Sequence, residues 1–402
     1  MFTTHSPRVV SARSTLSCSI RLTLVAALAA IAGSAGAQPA PNGSPASTPD
    51  VARVSVDVGG PSKAISPDLV GIFFEDISDA ADGGLYAELV QNRSFEYSPA
   101  DNRNFQPLTS WTLAAKQSNQ ATLTVDSAAP VHPNNPHYAV LSVDAVDTAS
   151  PVRVTNTGFG GIALTGGDAY DVSLFARRLA GDVTFTSARL EAASGEVLAE
   201  TALHAIANGE WTTHKATLTP KADVADARLV LVAGGTGKLA FDMVSLFPQK
   251  TFKNRPNGLR ADLAQVIADL KPKFMRFPGG CVAHGDGLAN MYRWKDTIGP
   301  VEQRKGQPNI WRYHQSYGLG YFEYFQFCED IGAIPLPVLP AGVCCQNSSN
   351  NPDGGRGQRG LPMDQMPDYV QEVLDLIEYA NGPVTSTWAR NAPRPGTPRR
   401  ST

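Results

Sequence analysis

From residue 257 onward, segments with helical periodicity alternate with short apolar runs, and this alternation restricts the fold more than any other feature. A helical pattern begins after Asn257 and is stopped by Pro272, and residues 273–277 (KFMRF) follow with the composition of a buried strand. A second helical pattern, GYFEYFQFCEDIG, ends at Gly332, and AIPLPVLPAGV then follows as a strand-like run. Strands that alternate with helices predict a parallel sheet.

Two of these helices have apolar residues at helical spacing, which we expect to face a core. Pro367 and Asp368 are typical of the start of a third helix. The residues expected to face inward are Leu259, Leu263, Val266, Ile267 and Leu270 in the first helix, and Val370, Val373, Leu374 and Ile377 in the third.

The residues before 257 show two other sequence patterns. VARVSVDVGG and LVGIFF, between Val51 and Phe74, predict strands, and LYAELVQNRSF (85–95) predicts a helix, so that residues 51–96 form one strand-to-helix unit. Between about Tyr97 and Pro248 helical periodicity is absent. Short alternating strands separated by Gly, Asn and Pro predict a β-sandwich there, as in YDVSLFAR, ARLVLVAGG and LAFDMVSLFP.

The N-terminus has the layout of a secretory signal peptide. Three arginines precede an apolar run from Leu22 to Ile31, and Ala35-Gly36-Ala37 then supplies a small-residue cleavage pattern. The run is too short to span a bilayer comfortably, although a membrane-tethered N-terminus remains the alternative. We expect residues 1–37 to be removed, residues 38–50 to be a flexible linker, and the protein to be periplasmic or extracellular.

Export changes the interpretation of the cysteines. Without residues 1–37 the chain contains Cys281, Cys328, Cys344 and Cys345, an even number in a compartment that permits disulfides. Their spacing does not match a zinc site. Free buried thiols and one disulfide remain as alternatives. The formal charge of −3 gives no basic field for a nucleic acid.

Five ordered blocks resemble the α-L-arabinofuranosidases of glycoside hydrolase family 51: ISPDLVGIFFEDISDAADGGLYAELVQNRSFEY, FMRFPGGC, YRWKDTIGPVEQR, GLGYFEYFQFCEDIGAIPLPV and YVQEVLDLIEYANGPVTSTW. The resemblance implies an α/β fold, a partial (β/α)₈ TIM-type barrel interrupted by an all-β, jelly-roll-like sandwich similar to a carbohydrate-binding module. We therefore expect the sandwich at residues 97–249 and barrel strands and helices 2 and 3 at 250–388. The implied reaction is removal of terminal α-L-arabinofuranosyl units with retention of configuration, from hemicellulose or pectin side chains, without a cofactor or metal.

The resemblance also implies substrate-binding residues. Glu75 matches a carboxylate that hydrogen-bonds sugar hydroxyls, and Arg276 an arginine that orients the carboxylates of the site. Trp294 resembles a tryptophan that lines the sugar site, with core packing as the alternative. Cys281 occupies a position where some members have asparagine. In a barrel such residues lie at the C-terminal ends of the strands.

The resemblance places the two catalytic glutamates of a retaining glycosidase beyond the end of this chain. Residues 389–402, with four Arg and three Pro, have no periodicity and look like a foreign ending, so we expect a chain truncated or frameshifted after Trp388 and inactive as written. One alternative is a secreted, non-catalytic carbohydrate-binding protein that uses the sandwich. Another is a different barrel glycosidase, but its candidate acids Glu323, Glu329 and Asp330 are more simply interpreted as charges on a solvated helix face.

Overall fold

The computed structural model describes residues 54, 55, 57, 59–60, 63–115, 120–147, 149–206 and 209–392. The expected signal peptide, the linker and residues 393–402 lie outside the described residues. Those described residues that lie from Ala64 onward belong to one compact unit. No helix within the described ranges is long and apolar enough to cross a membrane.

The structure begins with a short strand and continues into an all-β region. The strands are β1 (Ile72–Phe73), β2 (Trp111–Ala114), β3 (Ala121–Asp126), β4 (Tyr138–Val143), β5 (Val152–Asn156), β6 (Ile162–Leu164), β7 (Tyr170–Gly181), β8 (Thr184–Glu191), β9 (Val197–Ala202), β10 (Thr212–Leu218), β11 (Val224–Gly234) and β12 (Gly237–Pro248). The three strands that the sequence predicted by name correspond to β7, β11 and β12.

Two antiparallel sheets form the sandwich. One has the order β10-β7-β12-β4-β3, and the other β2-β5-β11-β8-β9 with β6 paired to β11. Alternate residues of the strands point between the sheets, as the period of two requires. Phe241 lies at the centre of this core, where its ring is 5.4 Å from that of Phe95, 5.1 Å from that of Phe185 and 6.2 Å from that of Trp111.

The chain then forms a parallel α/β unit. Its elements are α1 (Ala261–Asp269), β13 (Phe274–Phe277), the short α2 (Cys281–His284), β14 (Gln307–Pro308), β15 (His314–Gln315), α3 (Tyr321–Ile331), β16 (Ile334–Pro337) and α4 (Met366–Asn381). The strands pair in parallel in the order β1-β13-β16, as the alternating pattern predicted. Gly332 ends α3 in the left-handed conformation at φ 71°.

Only one face of this parallel sheet is covered by the described residues. Met275 and Phe277 are fully buried in a core with α3 and α4. Phe73, Arg276 and Leu336 share the opposite face because they are in register across the three strands. Phe73 is 74% exposed and Leu336 48%. Parallel sheets usually bury both faces. The face with Phe73 and Leu336 is therefore an unusually open apolar surface within the described part of the chain.

The predicted helix at residues 85–95 is wrong. The segment is irregular, and Glu88 within it is buried and accepts hydrogen bonds from the main-chain N–H groups of Val90 and Leu246 and from Arg93. These bonds tie the segment to the last strand of the sandwich. Tertiary contacts therefore override a sequence with good helix formers. The helix that follows β1 in the chain is α1, after the sandwich.

The predicted inward faces of two helices are confirmed in part: Leu259 is buried and Ile267 packs against the core, whereas other residues of both faces are exposed. In α1, Val266 and Leu270 are 63% and 61% exposed, while Ala264 is buried. In α4 the buried residues are Tyr369, Glu372, Asp375, Leu376 and Tyr379. The apolar row on α4 instead faces outward, with Leu374 51% and Ile377 54% exposed. The exposed aliphatic side chains of these rows have no cover among the described residues, and α4 instead buries Tyr369 and Tyr379 in the core.

A buried ion pair organises the long loop before α3. Arg304 and Glu323 have side-chain exposures of 2% and 4%, and the two guanidinium N–H groups of Arg304 donate to both carboxylate oxygens of Glu323 at 2.8 and 3.0 Å. Arg304 also donates to the carbonyls of Gly299, Tyr317 and Gly318. Burial lowers the pKa of Arg304 to about 10, so it is protonated at neutral pH. Glu323 is therefore not on a solvated face, contrary to the sequence interpretation.

We expect Arg304→Met to lower the free energy of unfolding by about 3–5 kcal/mol, because Glu323 would be left buried without its counter-charge. Thermal and urea denaturation followed by circular dichroism would measure this change. The double change R304M/E323L should recover part of the loss, since it removes both charges.

The control is Arg260→Met, which removes the partner of Asp262 at an exposed site. It should cost at most about 1 kcal/mol. An R304M effect no larger than the R260M effect would show that the buried pair does not organise the loop.

Candidate functional site

Glu75 lies just beyond the end of β1, at the edge where the parallel strands have their carboxyl ends. The ladder continues past the strand, because Asp76 N–H donates to the carbonyl of Pro278 at 3.0 Å. Glu75 rests on Gly279, where an added Cβ would lie 2.4 Å from its Cγ, and Gly279 has φ +144°. Only glycine fits both the space and this backbone conformation. The paired glycines after β13 therefore make room for Glu75.

The Glu75 carboxylate has two donors within reach. Its Oε1 accepts from the indole N–H of Trp311 at 3.4 Å and, at the limit of hydrogen-bonding distance, from the main-chain N–H of Val282 at 3.5 Å. Trp311 is 39% exposed. An exposed indole beside a carboxylate at the ends of parallel strands offers an apolar ring face and an acceptor to the same ligand.

Trp311 was not among the predicted site residues because no motif in the sequence marks it. It lies in residues 307–315, which are fastened to the loop after β1. Asn309 donates to the carbonyl of Asp76 at 2.9 Å, and Tyr313 donates its hydroxyl to the Asp76 carboxyl at 2.8 Å. The main-chain N–H of Trp311 in turn donates to the side-chain oxygen of Asn309 at 2.8 Å. The run of Trp, Tyr and Asn between two short strands was the available indication.

Arg276 lies on the open face of the sheet, with its guanidinium carbon 5.5 Å from the centre of the Phe73 ring. Among the described residues no carboxylate forms an ion pair with it. Its side chain approaches the turn beyond β13, where Nη2 lies 3.5 Å from the position of a Cβ on Gly280. The guanidinium is thus available to an anionic or polar group on the open face.

The other two predicted binding residues have different surroundings. Cys281 begins α2 directly after the glycine pair and is partly exposed next to Glu75. Trp294 has no exposed surface, and its indole N–H donates to the carbonyl of Glu372 at 3.0 Å. A fully buried indole offers no ring face to a sugar. The core-packing alternative for Trp294 fits the structure, and the sugar-lining prediction does not.

Asp76, a carboxyl group next to Glu75, has a pKa well above the usual value for an aspartate. It is 5% exposed, and burial, followed by the neighbouring charge of Asp82, raises its pKa to about 7. The hydroxyl of Tyr313 and the main-chain N–H of Ala81 both donate to its Oδ1. Asp82 is held separately, by Ser316. Near neutral pH the loop therefore exchanges a proton at Asp76.

No group of three His, Cys, Asp or Glu side chains within the described ranges is placed to hold a metal ion. A groove of about 700 Å³ is lined in part by Phe74, Phe159 and Leu263, and it includes neither Glu75 nor Arg276. In the sandwich, Trp111 is buried, and Arg177 lies 4.8 Å from the centre of the half-buried Trp211 ring. Neither indole presents two open faces.

Comparison with known proteins finds a domain match for the α/β part and relatives that match most of the chain. Residues 266–399 match the model of the α-L-arabinofuranosidase 1 domain. An extracellular exo-α-L-arabinofuranosidase of Streptomyces chartreusis is 42% identical over 86% of this chain and 40% of its own length. The arabinose-bound α-L-arabinofuranosidase MgGH51 superposes with a TM-score of 0.70 and 33% identity, over 86% of this chain and 54% of its own. In its domain match, its sequence and its structure the chain is similar to the α-L-arabinofuranosidases of family 51.

Another α-L-arabinofuranosidase shows the same similarity. α-L-Arabinofuranosidase 1 of Arabidopsis thaliana is 35% identical over 84% of this chain and 48% of its own length. The chain therefore spans about half the length of the curated α-L-arabinofuranosidases that it matches. The resemblance on which the sequence analysis relied is confirmed.

We expect stability to fall as the pH rises from about 4 to about 7, because the folded protein holds a proton on Asp76 that the unfolded chain, with an aspartate pKa near 3.9, has released. The contribution is fully present below about pH 4 and is lost as the pH passes about 7. Its upper bound is about 4 kcal/mol. Asp76→Asn keeps the Oδ1 acceptor and should remove this part of the pH dependence.

Melting temperatures of wild type and D76N across this pH range would test the expectation. Asp364→Asn, at an exposed position, is the matched control and should follow wild type. Identical pH profiles for wild type and D76N would show that Asp76 does not titrate in this window.

Proposed function

We propose that this chain forms the substrate-positioning part of a retaining α-L-arabinofuranosidase, acting on terminal α-L-arabinofuranosyl residues of hemicellulose or pectin side chains. The observation that carries the proposal is the placement of Glu75 against Trp311 at the carboxyl ends of parallel strands. This is the edge where barrel enzymes bind substrate. The arabinose bound to MgGH51, a relative that superposes over most of this chain, supports the choice of sugar.

In this proposal, each group has a separate role. Glu75 accepts hydrogen bonds from sugar hydroxyls, and the exposed ring of Trp311 packs against an apolar face of the substrate. Arg276, free of ion pairs among the described residues, orients a carboxylate or sugar oxygen above the open face. The parallel strands are the first three of a (β/α)₈ barrel, and the open face is the part of the barrel that would point inward.

We further propose that residues 1–402 alone bind the sugar without hydrolysing it. A retaining glycosidase requires two carboxyl groups about 5 Å apart, one as acid/base and one as nucleophile. Near Glu75 the described carboxyls include Asp76 and Asp82. Both are buried; Asp76 accepts hydrogen bonds from Ala81 and Tyr313, and Asp82 accepts them from Ser316. Acids held in this way are closed to a substrate, which supports a binding role for this part.

We expect L-arabinose to bind the purified chain and Glu75→Gln to weaken the binding about 10- to 100-fold, because a carboxylate acceptor of sugar hydroxyls becomes a neutral one. Calorimetry and quenching of tryptophan fluorescence would measure the affinity. Hydrolysis of 4-nitrophenyl α-L-arabinofuranoside should stay at the rate without protein.

Glu329→Gln, on the exposed side of α3, is the matched control and should bind like wild type. Equal affinities for E75Q and E329Q would refute the role of Glu75. Turnover comparable to that of a longer relative would refute the proposal that these residues bind without catalysis.

We propose that the protein is exported, since a relative at 42% identity is described as extracellular. The N-terminal pattern supports cleavage after Ala37, so the exported protein should begin at Gln38. Intact-mass measurement of protein recovered outside the cytoplasm would test this expectation. A mass that retains residues 1–37 would contradict it.

A further inference from the structure

Two cysteine side chains meet at the edge of the candidate site. Cys281 begins α2, and Cys345 lies in the loop after β16. The Cys345 side chain is near enough to Cys281 to raise the pKa of its thiol. The side chain of Gln346 contacts both, with 4.0 Å from its Nε2 to the sulfur of Cys281 and 3.5 Å from its Oε1 to the sulfur of Cys345. Two segments 64 positions apart in the sequence therefore bring a pair of sulfurs together.

The backbones around this pair are joined independently of the sulfurs. Cys345 N–H donates to the carbonyl of Gly285, at the end of α2, at 3.2 Å. Gly287 N–H donates to the hydroxyl of Ser348 at 3.0 Å. These bonds hold the loop after β16 against the turn after β13. The two thiols are thus kept close whether or not they are bonded.

The remaining cysteines are directed elsewhere. The sulfur of Cys344 accepts the main-chain N–H of Arg359 at 3.0 Å and lies 3.6 Å from the side-chain oxygen of Asn351. Cys328 is fully buried within α3 among aromatic side chains. The neighbouring pair Cys344 and Cys345 therefore has divergent side chains. Cys281, which contacts the same Gln346 side chain, is the remaining candidate partner for Cys345.

We propose that Cys281 and Cys345 are a disulfide-forming pair that closes when the protein meets an external disulfide donor, fastening the turn beneath Glu75. The thiolate of Cys281 attacks the donor, breaks its S–S bond and releases one donor thiol. The thiolate of Cys345 then attacks the sulfur of Cys281 and releases the second donor thiol. Two electrons pass to the donor, and the two protons lost by the cysteines end on the released thiols.

A disulfide between Cys281 and Cys345 would act on the turn that supports Glu75. Glu75 rests on Gly279, two residues before Cys281, and its Oε1 reaches the N–H of Val282, one residue after it. A bond from Cys281 to the loop after β16 would restrict the turn that supports the carboxylate. This effect on sugar binding rests on the proposed function, whereas formation of the bond does not.

The donor has to act on a thiol that is protonated at neutral pH. Burial, together with the neighbouring Cys345 and Glu75, raises the pKa of Cys281 to about 11. Thiol–disulfide exchange requires the thiolate, so oxidation is slow near pH 7 and faster at alkaline pH. Cys281 is partly exposed and is the thiol that the donor can reach.

The test is to incubate the full chain with oxidised glutathione at mildly alkaline pH, alkylate the remaining thiols and map peptides without reduction. We expect a linked pair of peptides, one with Cys281 and one with Cys345, two hydrogens lighter than the separate peptides and separated by dithiothreitol. The link should persist in C344S and C328S and vanish in C281S and C345S. The oxidised protein should melt about 4–10 °C higher than the reduced one.

Alkylation of both Cys281 and Cys345 after oxidation, glutathione retained on Cys281, or a link between Cys344 and Cys345 would each overturn the proposal. The partly exposed Cys281→Ser change keeps the test valid even where a change at the buried Cys345 prevents folding. A protein that forms the link on oxidation but does not bind arabinose in its reduced form would refute the proposed function alone. Arabinose binding without any link would refute this inference alone.

Discussion

The buried pair of Arg304 and Glu323 is the interaction on which the candidate site depends. Glu323 is on α3, and its carboxylate also accepts the N–H of Gly320, so the pair fixes the start of that helix. Arg304 binds the carbonyls of Tyr317 and Gly318 at the far end of the same loop. Residues 307–315, which include Trp311, are enclosed between these anchors. Both oxygens of the Glu323 carboxylate accept hydrogen bonds, and a desolvated charge pair of this kind costs free energy to misplace, so it restricts the path of the loop.

The parallel sheet explains where a ligand has access. Its inner face packs on α3 and α4 through Met275 and Phe277, while the face with Phe73, Arg276 and Leu336 has no cover among the described residues. The exposed aliphatic residues of α1 and α4 likewise have no cover among the described residues. Apolar surface of this extent on one side of a sheet indicates a surface that contacts another part of a protein or a ligand. The charged and aromatic groups of the site lie along its edge.

Errors in the sequence predictions share one cause. Periodicity correctly located α1, α3 and α4, but it assigned their aliphatic residues to the core, while α4 buries Tyr369 and Tyr379. A period identifies a face and cannot say what the face contacts. The predicted helix at 85–95 failed because Glu88 and Arg93 form a buried pair next to Leu246, more than 150 residues later. Trp294 was placed by resemblance, yet its neighbours Tyr379 and Trp388 enclose it.

The sequence by itself determined the order of elements from residue 257 onward, the sandwich between β1 and α1, and the resemblance to family 51, because hydrophobic period, Gly and Pro are local properties and the motif blocks are ordered. It also placed Glu75 and Arg276 at strand ends. The tertiary structure alone decided that Trp311 meets Glu75, that Cys281 and Cys345 contact the same Gln346 side chain, and that Asp76 is buried beside Asp82. These contacts join residues separated by loops whose paths depend on buried charges and close packing. No local sequence pattern predicts these contacts. Their stabilising free energy arises only when segments distant in the sequence come together and exclude water.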